Sequence, residues 1–330
     1  MMTPSEWAER LVTTGHRWGR TVRRDWAGMS PEAIRKVLDT LARLNPGPAQ
    51  VRFVTETMQG IPVARVRSGV EPSAGVVVWA HGGGFAFGSP RTHRALAAHV
   101  ALATGWEVWI PDYPLSPEHP FPEGLDALDR VWQGGKCAGG ACVLAGDSAG
   151  GNLAVALTQR LVARGEGVPD AVVVYSPWLD LAPDSLSNRQ NAEAWSPFDR
   201  TDMDVYGRMY AGDIPLSDAR ISPLRGAFEG FPPVLIESSE VEYLRPDARL
   251  LGEALQRADV AYEERIEPLA LHGWQLFPDL LPEAKRSVHA LAHLLHRLQP
   301  TAASSATVSR GSASSRSASV SVRGGAKRTA

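Results

Sequence analysis

A serine hydroxyl becomes a useful nucleophile when a turn exposes it, a base takes its proton, and donors wait for the charge its attack creates. Gly146-Asp147-Ser148-Ala149-Gly150 offers the turn. It lies between the apolar run Ala141-Cys142-Val143-Leu144-Ala145 and a helical stretch that begins Gly151-Asn152-Leu153. A G-x-S-x-G pattern at a strand-to-helix junction holds its serine in a strained, outward-facing position. A second motif, His81-Gly82-Gly83-Gly84-Phe85, follows another apolar run, Gly75–Ala80. If both runs are strands of one sheet, both loops leave at one edge, and glycine N–H groups can face an oxyanion without side-chain obstruction. The chemistry these motifs allow together is acyl transfer.

Nine histidines could supply the base. His289, His293 and His296 fall on the polar side of a C-terminal helix whose other side is Val288, Leu291, Leu294, Leu295 and Leu298. They read as a solvated face, and no His-Glu-x-x-His pattern makes them metal ligands. His272 stands instead in a loop between the last expected strand and the final helix, which in a parallel sheet brings it to the serine's edge. His81 opens the glycine loop and is read as ordering it. The carboxylate that would orient His272 is sought after the run Val234-Leu235-Ile236, where Glu237, Glu240, Glu242 and Asp247 are candidates. Glu242 is the first choice and Glu240 its rival, because Glu237 falls in the strand end and Asp247 in the helix that begins at Pro246. The order serine, acid, histidine is that of α/β hydrolases.

The elements that must carry these residues follow from periodicity. Extended segments are expected at 51–57, 61–67, 75–80, 106–110, 141–145, 171–175, 233–238 and 260–266, with helices at about 93–104, 123–133, 150–164 and 246–258. Continuous apolar runs alternating with helices predict a mostly parallel sheet covered on both faces. The first two segments alternate in polarity across Gln59-Gly60, which predicts an antiparallel hairpin at one edge. Residues 1–45 read as two amphipathic helices, the first carrying Trp7, Leu11 and Trp18, the second capped by Ser30 with Pro31 in its first turn. A polar insertion at 183–230, holding Trp195, Phe198, Tyr206, Met209 and Tyr210, falls where a lid over the site would lie. Residues 301–330 are rich in Ser, Ala, Arg and Gly and are expected to be disordered.

Composition removes other classes of function. The chain has 330 residues and net charge −2; its last thirty hold five bases and no acids, so the rest carries about −7. Such a body offers no nucleic-acid surface. No apolar stretch approaches the length of a membrane span, and the N-terminus lacks a signal-peptide run. A soluble, cytoplasmic protein is expected, with Cys137 and Cys142 as free thiols. A small-molecule substrate is the expected partner, a homodimer is an allowed assembly, and no metal or organic cofactor is called for.

The chain resembles the bacterial hormone-sensitive-lipase-like carboxylesterases, an α/β-hydrolase family, in His81–Phe85, in Gly146–Gly151 and in the stretch Asp112-Tyr113-Pro114-Leu115-Ser116-Pro117-Glu118-His119-Pro120-Phe121-Pro122. The likeness extends over about residues 51–298. It implies an α/β-hydrolase fold with an eight-stranded sheet and a helical cap, the cap drawn from residues 1–45 and the 183–230 insertion of a catalytic domain spanning 46–300. It also implies Ser148 as nucleophile, His272 as base, and Gly83, Gly84 and Ala149 as oxyanion-hole donors. Putting Leu244, Asp247 and Leu250 in register with the family sets Glu242 where the family usually has aspartate, and Pro114 stands where it often has arginine. Under the cap Phe85, Phe87, Trp195, Tyr206, Tyr210 and Trp274 are expected to wall an apolar pocket for short- to medium-chain acyl esters. A lactone or amide hydrolase on the same triad, or a ligand-binding relative, are the alternatives.

Overall fold

In the computed structural model the described residues are 29–69, 73, 75–135, 140–184 and 200–298. The sequence readings for the first amphipathic helix, for Trp195 and Phe198, and for the 301–330 tail lie outside them. Eight strands form one sheet in the order β1-β2-β4-β3-β5-β6-β7-β8. They are β1 (Arg52–Met58), β2 (Ile61–Arg67), β3 (Gly75–Ala80), β4 (Glu107–Pro111), β5 (Ala141–Asp147), β6 (Ala171–Tyr175), β7 (Val234–Ser239) and β8 (Tyr262–Glu267).

The expected hairpin is present. Met58 pairs with Ile61 across Gln59-Gly60, both at positive φ, the two-residue turn whose twist suits an antiparallel pair. β2 also runs antiparallel to β4, and from β4 to β8 every pairing is parallel. This accounts for the apolar runs: β4 and β6 are buried at every position, whereas the edge strand β1 has no buried residue.

Seven α-helices are described: α1 (Pro31–Leu41), α2 (Arg94–Thr104), α3 (Glu123–Gly134), α4 (Ala149–Ala163), α5 (Arg200–Ala211), α6 (Arg245–Arg257) and α7 (Pro282–Leu298). Strand alternation divides the core between them. Val78, Ala80 and Leu144 pack with Leu128 of α3 and Leu153 of α4. Val77, Trp79 and Val143, one residue out of phase, pack with Leu96 of α2 and Leu291 of α7. Each fully buried Val or Leu in these layers contributes roughly 1.5–3 kcal/mol relative to exposure. α1 begins as expected, with the Ser30 hydroxyl accepting from Ala33 N and Pro31 in the first turn.

One expectation is corrected. Cys142 is disulfide-bonded, and no free cysteine is found among the described residues; the chain's other cysteine, Cys137, lies outside them. The two residues are five apart, close enough in sequence for one bridge to close a short loop, which the free-thiol reading overlooked. His289, His293 and His296 are exposed on α7, as a solvated face requires. No helix among the described residues is long and apolar enough to cross a membrane.

Candidate active site

β5 ends at Asp147 and α4 starts at Ala149, leaving Ser148 alone between them at φ 52° and ψ −122°. A non-glycine residue rarely adopts that backbone, and neighbouring groups fix it there. Ser148 N donates to Tyr175 O at 2.8 Å, while Ser148 O accepts from Trp178 N and Asn152 N. The flanking glycines answer to close approach. A Cβ on Gly146 would lie 2.3 Å from Gly150 O, and one on Gly150 would lie 2.0 Å from Ala80 O.

His272 follows β8, as the sequence suggested, and its Nε2 is 3.0 Å from Ser148 Oγ. Its Nδ1 is 2.8 Å from Glu242 Oε2. The other oxygen of that buried carboxylate accepts from Ser176 Oγ at 2.8 Å and from Ser239 N at 2.7 Å. With Glu242 accepting the Nδ1 proton, Nε2 is left with its lone pair toward the serine hydroxyl. The rival acids go elsewhere: Glu240 is 61% exposed and pairs with Arg245, Asp247 accepts from Leu179 N and Asp180 N, and Glu237 lies toward Arg265 at 3.8 Å. Burial pushes the Glu237 carboxyl up to about 7, against the pull of Ser287, Arg265 and Gln275.

The glycine loop is tied to the elbow by the residue preceding the serine. Asp147 Oδ1 accepts from Trp79 Nε1 at 2.9 Å and Gly82 N at 3.1 Å, and His93 Nε2 stands 2.9 Å from it. Burial works to raise this carboxyl, but the His93 and Trp79 contacts outweigh it and hold it below the usual range. His81 stacks on Tyr113 with ring centroids 4.2 Å apart. Burial, with His93 nearby, pushes its imidazole down to about 3, so it is neutral. Gly83 (φ 124°) and Gly84 (φ 59°) then turn the chain, with Gly83 O accepting from Ala86 N and Phe87 N. The N–H groups of Gly83, Gly84 and Ala149 make no backbone hydrogen bond to another described residue. No metal-ligating cluster occurs among the described residues.

Above Ser148, His272 and Gly84 the walls are Trp178, Met203, Tyr206, Tyr243 and Leu244, enclosing about 10 Å³, space for about one water. Of the expected aromatics among the described residues, only Tyr206 lines this space. Phe85 and Tyr210 are corrected: they stack on each other at 3.8 Å in the core. Phe87 packs with Ile34 and Ala86, and Trp274 with Ala270 and Ala284. Trp195 lies outside the described residues. Trp178, Tyr243 and Leu244 were missed, although they come shortly after the ends of β6 and β7, where parallel sheets present their ligand-facing loops. Met203 and Tyr206, three apart on α5, share one face of that helix.

Comparison with known proteins places the fold in a family. A family model described as the alpha/beta hydrolase fold matches residues 77–276. An esterase of Acinetobacter venetianus is 33% identical over 268 residues, 80% of this chain and 88% of that protein. An acetyl-hydrolase of Streptomyces hygroscopicus is 34% identical over 66% of this chain and 74% of its own. Among solved structures, an esterase from the bacterial hormone-sensitive lipase family superposes with a TM-score of 0.79 at 27% identity, covering 87% of this chain and 99% of that one.

Proposed function

Since the chain belongs to the bacterial hormone-sensitive-lipase-like carboxylesterases of the α/β-hydrolase fold, we propose that it hydrolyses carboxylic esters through an acyl-serine intermediate. The observation that carries this is the continuous line from Glu242 through His272 to Ser148, at 2.8 and 3.0 Å. His272 Nε2 takes the hydroxyl proton as Ser148 Oγ bonds to the ester carbonyl carbon. The carbonyl oxygen becomes an oxyanion held by the N–H groups of Gly83, Gly84 and Ala149, each worth roughly 10²–10³ in rate. His272 returns the proton to the departing alkoxide, which leaves as alcohol. Water then attacks the acyl carbon, gives a proton to His272, and releases the carboxylic acid as Ser148 recovers its own.

Glu242 keeps the Nδ1 proton in place and stabilises the imidazolium formed in each half-reaction. The narrow space above Ser148 favours short acyl chains, with medium chains admitted as α5 yields; α1 and the 183–230 insertion act as the cap. The reading includes a cytoplasmic enzyme for which a homodimer is an allowed assembly, checked by cell fractionation and light scattering. A cytoplasmic protein would have to keep its disulfide in a reducing pool.

Incubation with a fluorophosphonate and peptide mass spectrometry tests the reading, alongside p-nitrophenyl esters of increasing chain length. An adduct on Ser148, with parallel loss of ester turnover, is expected. Turnover that continues while Ser148 is fully modified would sink it.

A further inference from the structure

We propose that Arg35, on α1, is a positioning residue for the oxyanion hole, holding together the two loops that shape it. This rests on the reading that Gly83 and Gly84 donate to the oxyanion. One guanidinium reaches across the chain to both loops. Its Nε donates to Ala86 O at 2.7 Å, and its Nη2 donates to Ser116 O at 2.7 Å. Glu118 receives the remaining face of the fork, Nη1 on Oε1 at 3.1 Å and Nη2 on Oε2 at 2.7 Å. The hydrogen bond to Arg35 holds the Glu118 carboxyl below the usual range.

Arg35 acts on a closed piece of backbone. Gly83 O already accepts from Ala86 N and Phe87 N. Phe85 O accepts from both the N–H and the hydroxyl of Ser116, at 3.0 and 2.9 Å. Ala86 O is held by Arg35, and the same side chain holds Ser116 O. The turn 83–87 is therefore pinned at the carbonyls of Gly83, Phe85 and Ala86; the first shares its peptide plane with the Gly84 N–H, while the plane carrying the Gly83 N–H is held from the other side, where Gly82 O lies 3.0 Å from His81 Nδ1. Both glycines are at positive φ, and glycine backbone regains the most freedom when a pin is removed. A second tie from the same helix, Ser89 Oγ donating to Asp39 Oδ1 at 2.5 Å, secures the far end of the loop.

The arrangement needs a planar fork. Arginine places separate N–H groups on two carbonyls and a carboxylate at fixed angles, whereas lysine offers one charged point on a flexible stem. Donors that must meet a transition-state oxygen lose much of their effect when displaced by about 1 Å, a loss on the order of 10²-fold. Removing Arg35 should therefore act on kcat, because the oxyanion exists only after attack.

The experiment compares Arg35→Ala, Arg35→Lys and Glu118→Gln with the wild-type full chain on p-nitrophenyl butyrate. It also measures inhibition by a trifluoromethyl ketone, whose serine adduct carries the same oxyanion. Arg35→Ala should lose roughly 10- to 100-fold in kcat with KM changed less than about threefold, and ketone affinity should fall in step with kcat/KM. Because the Arg35 side chain is 24% exposed, guanidinium ion well below denaturing concentration should restore part of the alanine variant's kcat and leave wild type unchanged. Arg35→Lys should lose more than Glu118→Gln, which keeps both carbonyl bonds. If the alanine variant does not fold, that order decides. An alanine variant within twofold of wild type, a kcat loss that guanidinium does not relieve, or Glu118→Gln as impaired as Arg35→Lys would each overturn the proposal. Wild-type protein without esterase activity would instead remove the reading on which it rests.

Discussion

The floor and the roof of the site are held by different forces. On the floor, Ser148, Glu242 and Asp147 sit at or just beyond strand ends and are fixed by directional bonds: Ser148 N to Tyr175 O, Ser239 N to Glu242, Gly82 N to Asp147. The roof is α5, attached largely by ring packing, with Tyr206 edge-on to Phe87 at 4.8 Å and Tyr210 stacked on Phe85 at 3.8 Å. Hydrogen bonds to backbone fix an atom to within tenths of an ångström, whereas packed rings fix a volume and tolerate exchange of shape. Chemistry should therefore fail when the floor is altered, and selection should shift when the roof is.

Two floor substitutions would break this contrast if they proved mild. Ser148→Ala removes the nucleophile and should lower kcat by roughly 10⁴-fold or more with the fold intact. Measurement of kcat beside an unchanged circular dichroism spectrum checks it. Glu242→Gln keeps the shape and most of the volume but takes the charge from the imidazolium and can present an amide N–H to Nδ1, which favours the wrong tautomer. A loss of roughly 10³- to 10⁴-fold is expected, while Glu240→Gln, on an exposed carboxylate bonded to Arg245, should stay within about twofold. Near-normal activity in the Glu242 variant would remove the acid from the mechanism.

The same contrast governs what the sequence disclosed. Floor residues are announced by backbone requirements that leave local marks: glycines where Cβ atoms would clash with Gly150 O and Ala80 O, apolar runs that end where loops begin, Gln59-Gly60 for the hairpin. Glu242 could be narrowed only to a set, because Glu240 and Glu242 lie in one short turn and its direction depends on Ser176, just beyond the end of β6. The roof left no such marks. Phe85 and Tyr210 were expected in the pocket and instead stack on each other, since an aromatic ring in a core and one in a wall satisfy the same apolar pattern. Trp178 was passed over because nothing local distinguishes it from the other buried tryptophans.

Roof substitutions should give intermediate effects of a different kind. Met203→Ala and Tyr206→Ala each enlarge the space over Ser148 and should raise kcat/KM for octanoate relative to acetate p-nitrophenyl esters. A methylene's worth of apolar contact, roughly 1–3 kcal/mol, sets the scale at about 10- to 200-fold. Activity on acetate should fall by less than about tenfold, because neither residue touches the triad's hydrogen bonds. A uniform loss across chain lengths would place α5 with the floor.

The smallest effect expected is in stability, and it separates the two regions by pH. The roof carries Tyr206, whose hydroxyl burial pushes up to about 12, so it is silent across the working range. The floor contains two buried groups that pull in opposite directions. His81, pushed down to about 3 by burial, is neutral when folded but protonates in the unfolded chain below about 6.5; its burial costs stability increasingly as pH falls through that window. Glu237, pushed up to about 7 by burial, keeps its proton when folded while the unfolded chain loses it above about 4.3. Its burial therefore costs stability as pH rises from there to 7, and the full cost, on the order of 3 kcal/mol, persists above 7. Glu237→Gln mimics the protonated acid at every pH. Relative to wild type it should gain stability at pH 8 and little or none at pH 4.5, as read from urea midpoints at the two values, whereas Tyr206→Phe should shift both midpoints equally. A Glu237→Gln gain of the same size at both pH values would mean that the carboxyl is charged in the folded protein at both, with the Arg265 guanidinium compensating more of its burial than a separation of 3.8 Å implies.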